Sequence, residues 1–239
     1  MSGIIGLIPA RSGSKRCPGK NTRLFFGHPL IAYTIAAAKE SGIFEDILMS
    51  TDSSETLEFC LQYGIRGIIR PESIAQDTST DLEWINDATR ICNHYDYFAI
   101  LRPTSPFRSG ALIMDAYEKF IASGYDSIRT MEMLGHPGKM WEFGEFSNLV
   151  RPILQLSEMF SGNEFDEPTQ VLHKENRVLT QNGCLQIAKT SLLPGSITGR
   201  SVYGYEMTGD LQGFDINTEL DWILAEELVN RGMVTLPKI

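Results

Sequence analysis

No apolar run in this 239-residue chain reaches the length that spans a bilayer. Its N-terminus also lacks a charged segment followed by an apolar stretch and a small-residue cleavage site. A cytoplasmic protein with no membrane partner is therefore expected. The four cysteines, Cys17, Cys60, Cys92 and Cys184, form no C-x-x-C pair, which argues against a zinc site or a disulfide framework. Positive charge is scarce as well: 21 Lys and Arg stand against 30 Asp and Glu, for a net charge of −9. A surface of that sign disfavours nucleic acid and anionic lipid as partners. The dinucleotide fingerprint G-x-G-x-x-G is absent.

What is present is an alternation of short β-rich runs with helical patterns, the signature of βαβ units and a mostly parallel, doubly wound, Rossmann-like α/β sheet. IIGLIPA (4–10) is almost continuously apolar, as a strand buried on both faces should be. Pro29 can open a helix with Ile31, Ile35 and Ala38 inward, which Gly42 stops. Strands are expected at 46–52, 65–71, 97–101, 127–133 and 183–188. Between them, helices are expected with Leu57, Cys60 and Leu61 inward, with Leu82, Ile85 and Ala88 inward behind a Thr80/Glu83 capping box, and from Ser109 with Leu112, Ile113, Ala116, Tyr117, Phe120 and Ile121 on one stripe. A last helix starts near Thr218 and turns Trp222, Ala225, Leu228 and Val229 inward. The periodicity breaks over 135–176, which is read as an insertion within a single domain spanning 1–239.

Against the acidic background, LIPARSGSKRCPGKN (7–21) concentrates Arg11, Lys15, Arg16 and Lys20 in one loop directly behind the first strand. Loops at the carboxyl ends of parallel strands face a common crevice. STDS (50–53), RPESIAQDTST (70–80) and LRPTSPFR (101–108) occupy equivalent positions. Several cations among small residues suit a polyphosphate. The loop is not a Walker A motif, because five residues separate Gly13 from Gly19 and Asn21 stands where Ser or Thr would hold the metal. Near the other end, Asp215 and Asn217 lie two apart in an extended approach to the last helix, so both oxygens can face one magnesium ion. Thr218 and Asp221 suit a helix cap, which is compatible with that role.

IPARSGSK with Lys20 and Asn21, STDS, RPESIAQDTS, RPTSPFR, HPGKM and DINTELD, in this order, resemble the acylneuraminate cytidylyltransferases. The resemblance covers nearly the whole chain. It implies a nucleotidyltransferase in which a sugar oxygen attacks the α-phosphate of CTP and releases pyrophosphate with the help of Mg2+. It further implies that Arg11, Ser12, Gly13, Ser14, Lys15 and Lys20 hold the triphosphate, with Lys20 and Arg11 acting in catalysis. Asn21, Arg70, Asp77 and Thr80 would surround the nucleotide. Arg102, Thr104, Ser105, Lys139, Gln170 and Asn182 would meet a small acidic sugar, Asp215 and Asn217 would bind the metal, and the 135–176 insertion would build a homodimer.

The chain departs from the family pattern at three places. Arg102 replaces the usual Gln before P-T-S-P, Thr169 replaces an Arg, and Asn217 replaces the second Asp of the metal pair. Exchanging Gln for Arg and Arg for Thr relocates positive charge around the sugar. His28, His94, His136 and His173 lie in ordinary turns or helices, so the proton is expected to go to a metal-bound hydroxide or to the substrate's own groups. A sugar 1-phosphate acceptor with CTP or another nucleotide, and a nucleotide-binding module without catalysis, stay open as alternatives.

Overall fold

Ile4–Pro9 (β1) carries apolar side chains toward both sheet faces. Ile4 and Ile8 join one buried cluster, while Ile5 and Leu7 join a second on the opposite side. The period of two along a strand makes that division automatic. A strand apolar at every position must sit inside the sheet, and β1 does. The computed structural model describes residues 3–13, 16–90, 94–134, 179–207 and 209–239, and the backbone of two short strands inside 135–178.

Leu24–Phe25 (β2) and His28–Pro29 (β3) form a small hairpin ahead of Leu30–Ser41 (α1). Asp46–Thr51 (β4), Ser54–Gln62 (α2), Arg66–Ile69 (β5), Asp81–Thr89 (α3), Tyr97–Ile100 (β6) and Gly110–Ser123 (α4) follow. Next come Ser127–Met133 (β7), Trp141–Phe143 (β8), Val150–Pro152 (β9), Leu179–Lys189 (β10), Val202–Glu206 (β11) and Glu219–Asn230 (α5). The main sheet runs β11-β7-β10-β6-β1-β4-β5. Its β6-β1-β4-β5 half is parallel, whereas β10 lies antiparallel between β6 and β7.

α1 and α4 cover one face through Ile31, Ile35, Ile113 and Phe120, and α3 covers the other through Trp84, Ile85 and Ala88. A third cluster of Phe25, Tyr33, Phe107, Ile216 and Trp222 fastens α5 beside the carboxyl end of the sheet. α1 and α4 can approach closely because the first residue of α4 is Gly110, where a Cβ would come within 2.6 Å of the Ser41 nitrogen.

The helix starts follow the expected chemistry. Thr80 with Glu83 and Thr218 with Asp221 form reciprocal capping boxes, and the Ser109 hydroxyl accepts from the Leu112 N–H. Two side chains expected inside are not. Leu61 is 85% exposed and Ile121 43% exposed, because α2 and α4 each lie on the sheet along a stripe narrower than their apolar sequence. The strand expected over 183–188 is longer, and a register shift between Gln181 and Gln186 splits it. Of the insertion expected over 135–176, the antiparallel pair β8 and β9 is described. Among the described residues no helix is long and apolar enough to cross a membrane.

Candidate functional site

The carboxyl ends of β1, β5 and β6 deliver their loops to one cleft of about 360 Å3, closed on the far side by the segment before α5, whereas the loop after β4, expected at the same crevice, does not line it. Its lining holds the basic side chains Arg11, Arg16, Lys20, Arg70 and Arg102 and the acidic Asp77, Asp81 and Asp215. Positive charge therefore prevails locally in a chain of net charge −9. That is the polarity a triphosphate requires.

The loop after β1 is tied to both neighbouring loops. Arg11 Nη1 donates to Asp77 Oδ1 at 2.6 Å, and the Ser12 N–H and hydroxyl donate to the Asp52 carboxylate at 2.7 and 3.0 Å. Asn21 Nδ2 donates to the Arg11 carbonyl at 3.1 Å, which folds the loop back on itself. Arg70 is 5% exposed and donates to the Ser50 hydroxyl and carbonyl at 3.1 and 3.2 Å, with its guanidinium 5.1 Å from the Trp84 ring centre. Burial lowers its pKa, and the charges of Asp52 and Asp81 work against that shift.

Lys20 crosses to the opposite wall, where its Nζ donates to the Ile216 carbonyl at 3.0 Å. Burial lowers its pKa, with Asp215 acting the other way. Asp215 Oδ2 accepts from Asn217 Nδ2 at 2.6 Å, so the two side chains converge as their spacing of two anticipates. Asp215 Oδ1 is buried with no hydrogen-bond partner. A carboxylate oxygen left bare in this way suits a cation, because burial without a partner is otherwise unfavourable. Among the described residues no group of three or more His, Cys, Asp and Glu side chains gathers as a complete metal cage. A single carboxylate is nevertheless the usual protein share where phosphate oxygens complete the shell of magnesium.

Arg102 forms an ion pair with Asp81, the first residue of α3. Trp84 Nε1 adds a 2.9 Å hydrogen bond to the same carboxylate. Burial would raise the Asp81 pKa, but Arg102 and the Trp84 N–H outweigh it and hold the carboxyl below its ordinary value. Thr104 lines the cleft and its carbonyl accepts from the Ile216 N–H at 2.8 Å. Beneath it, the fully buried Arg108 donates to the carbonyls of Cys184 and Arg102 and to the Thr34 hydroxyl, and so pins the loop after β6 to β10.

The structure thus brings together Arg11, Lys20, Asn21, Arg70, Asp77, Arg102, Thr104, Asp215 and Asn217. Other expected residues sit away from the lining. Ser12 is engaged with Asp52, Gly13 is exposed on the loop, Thr80 caps α3, and Ser105 is buried. Asn182 Oδ1 accepts from the Thr130 hydroxyl and the Cys184 N–H and so braces the irregular part of β10. Ser14, Lys15, Lys139, Thr169 and Gln170 lie outside the described residues. Asp81 and Trp84 line the cleft without having been anticipated. Asp81 directly follows the Thr80 cap, where an acidic residue is explained by the helix dipole alone. Among the described residues no histidine lines the cleft.

A family model described as Cytidylyltransferase matches residues 5–190. The CMP-N,N'-diacetyllegionaminic acid synthase of Legionella pneumophila is 35% identical over 98% of this chain and 99% of its own length. The N-acylneuraminate cytidylyltransferase of Escherichia coli is 31% identical over 98% of this chain and 54% of its own length, so the chain spans about half of that relative. Among solved structures, a CMP:2-keto-3-deoxy-manno-octonic acid synthetase complexed with CTP superposes with a TM-score of 0.70 at 15% identity, covering 97% of this chain and 100% of the other, which shows a common fold. With the family match running from β1 to the end of β10 and taking in the loops that build the cationic cleft, the chain belongs to the cytidylyltransferase family.

Proposed function

We propose that this chain transfers the cytidylyl group of CTP to a carboxylated nonulosonic acid, giving the CMP-sugar and pyrophosphate. The observation that carries this reading is the cleft itself, where Arg11, Lys20 and Arg70 converge at the carboxyl edge of the sheet with Asp215 opposite. The names of the Legionella and E. coli relatives point to the same sugar class. In this reading a sugar hydroxyl oxygen forms the new bond to the α-phosphorus while the bond to the β-phosphate breaks. The departing pyrophosphate takes up the negative charge. Arg11 and Lys20 would neutralise it, together with Ser12, Gly13, Ser14 and Lys15 of the same loop. Asn21, Arg70 and Asp77 frame the nucleotide, and Thr80 supports them by capping α3. Arg102, Thr104, Lys139 and Gln170 serve the sugar, while the buried Ser105 and the bracing Asn182 support the chain around them. The proton of the attacking hydroxyl passes to the substrates' own oxygens.

Asp215, with Asn217 beside it, would hold Mg2+. The ion when bound would screen the phosphate oxygens and favour departure of pyrophosphate. Lys20, hydrogen-bonded between these two residues at Ile216, keeps an ammonium next to the same charge. The chain would act in the cytoplasm as a homodimer built through the 135–176 insertion.

The test is pyrophosphate release measured with each of the four nucleoside triphosphates against a panel of nonulosonic acids and hexose 1-phosphates. Turnover with CTP and a carboxylated sugar is expected. Turnover confined to a hexose 1-phosphate would overturn the assignment of the acceptor, and CTP binding without turnover on any acceptor would overturn the assignment of activity.

A further inference from the structure

Off the main cleft, behind Arg102, lies a second cavity of about 30 Å3, lined by Arg102, Arg129, Thr130, Gln181, Gly183 and Gln186 among others. A water occupies roughly 10–15 Å3 on such a measure, so this space takes two or three heavy atoms and no sugar ring. Arg102 lines both spaces.

Arg129, on β7, has no assigned role in the reaction. It donates to the Gln181 side-chain carbonyl and, at 2.6 Å, to the Thr198 hydroxyl, both of them neutral. Its Nε is buried with no hydrogen-bond partner. Burial lowers the pKa of Arg129, the charge of Arg102 lowers it further, and Asp81 is the carboxylate acting in the other direction. That carboxylate is already ion-paired with Arg102 and hydrogen-bonded by Trp84. Two guanidinium groups that line the small cavity therefore lean on one acid, and one N–H of Arg129 is buried without a partner. A half-buried cation without its own counter-ion bears part of a desolvation cost, and a ligand anion offsets it.

We propose that Arg129 is a specificity-determining residue. Together with Arg102 it seats the carboxylate of the acidic sugar in the side cavity, while the ring stays in the main cleft. The proposal rests on the function assigned above and adds to it where the sugar's anion goes. Gly183 belongs to the design of the seat. At φ +74° a Cβ there would stand 3.6 Å from Arg102 Nε, so glycine leaves the guanidinium edge open on that side. Charge-assisted hydrogen bonds from the remaining N–H groups of the two guanidinium groups would fix the carboxylate in one orientation.

The experiment compares the carboxylic acid form of the sugar with its carboxamide, on the unaltered protein and on Arg129→Gln and Arg129→Lys, with CTP affinity measured by calorimetry as the folding control. On the unaltered protein the carboxamide should raise KM about 10- to 100-fold, the ratio expected for losing a hydrogen-bonded charge. Arg129→Gln should raise KM for the acid by a similar factor, add no further loss for the carboxamide, and keep CTP affinity within about 3-fold. Arg129→Lys should recover part of the loss. A carboxamide that performs as well as the acid on the unaltered protein would overturn the seat without any variant. Losses in Arg129→Gln that are the same for both sugars would overturn the role of Arg129 and leave the function standing. No turnover of any carboxylated sugar by the unaltered protein would remove both.

Discussion

The Nζ of Lys20 lies 3.0 Å from the carbonyl oxygen of Ile216, joining the basic loop behind β1 to the segment ahead of α5 across 196 residues of chain. Ile216 stands between Asp215 and Asn217, so a single hydrogen bond registers the cationic wall of the cleft against its acidic one. A shift of the half-buried Asp215–Asn217 pair would strain that hydrogen bond.

Lys20 should titrate below an ordinary lysine, because burial disfavours its ammonium form. As pH rises through the depressed folded pKa toward 10.5, the unfolded chain binds more protons than the folded one, so stability gains with pH in that window. Bound CTP acts in the opposite sense by favouring the ammonium. CTP binding should therefore take up protons at alkaline pH, read as a binding heat that varies with the ionisation enthalpy of the buffer. Lys20→Met should abolish the uptake and lower kcat by about 100- to 1000-fold, as losing a group opposite developing charge does. Buffer-independent heats in the unaltered protein would contradict this.

Asp215→Ala should reduce turnover at least about 100-fold at any magnesium concentration. Asn217→Asp should work the other way on the metal. It replaces the 2.6 Å amide-to-carboxylate hydrogen bond with two facing carboxylates. Their repulsion should lower the melting temperature in chelator, and magnesium should then restore more stability than it adds to the unaltered protein. Activity titrated against magnesium should show a lower midpoint in Asn217→Asp, and an unchanged or higher midpoint would argue against a metal at this pair.

Arg108 is fully buried and its hydrogen bonds go to two carbonyls and a hydroxyl, never to a carboxylate. Arg108→Met should cost about 3 kcal/mol or more of stability, because several acceptors lose a charged donor at once. Urea unfolding measures that cost. The release of the Arg102 carbonyl should also raise KM for the sugar, while Kd for CTP changes far less.

Asp126 connects β7 to the turn before β11. The Arg200 N–H donates to it at 2.9 Å, Lys189 at 3.2 Å and the Ser201 N–H at 3.2 Å, and together they bring its pKa down from 3.8 to about 2. A depressed carboxylate stabilises the fold above its unfolded pKa, and the contribution disappears as pH falls through the folded value. Melting temperature should drop between pH 4 and 2, the interval set by those two values. Asp126→Asn should start lower at neutral pH and lose less over that interval. A parallel decline in both proteins would show that Asp126 does not set the acid response.

Local chemistry was legible where one or two residues decide the backbone. Thr80 with Glu83, Ser109, and Thr218 with Asp221 each start the helix expected of them, since a cap needs only a side-chain oxygen three residues from an unpaired N–H. The all-apolar β1 read correctly as a central strand, and the spacing of Asp215 and Asn217 correctly placed both side chains together. Burial of an individual side chain was less legible. Leu61 and Ile121 repeat at a helical period yet face solvent, because how wide a stripe a helix buries depends on the neighbour it meets.

By itself the amino-acid order determined the alternation of strands and helices, the crevice at the carboxyl ends of the strands and the cationic loop that enters it, all of which follow from short-range periodicity and handed βαβ connections. Only the tertiary structure decided that Arg102 closes on Asp81, that β10 inserts antiparallel between β6 and β7, and that Arg129 arrives behind Arg102 with one N–H bare. These pairings join residues 21 or more positions apart through space, and no local preference of the chain encodes which distant charges will meet.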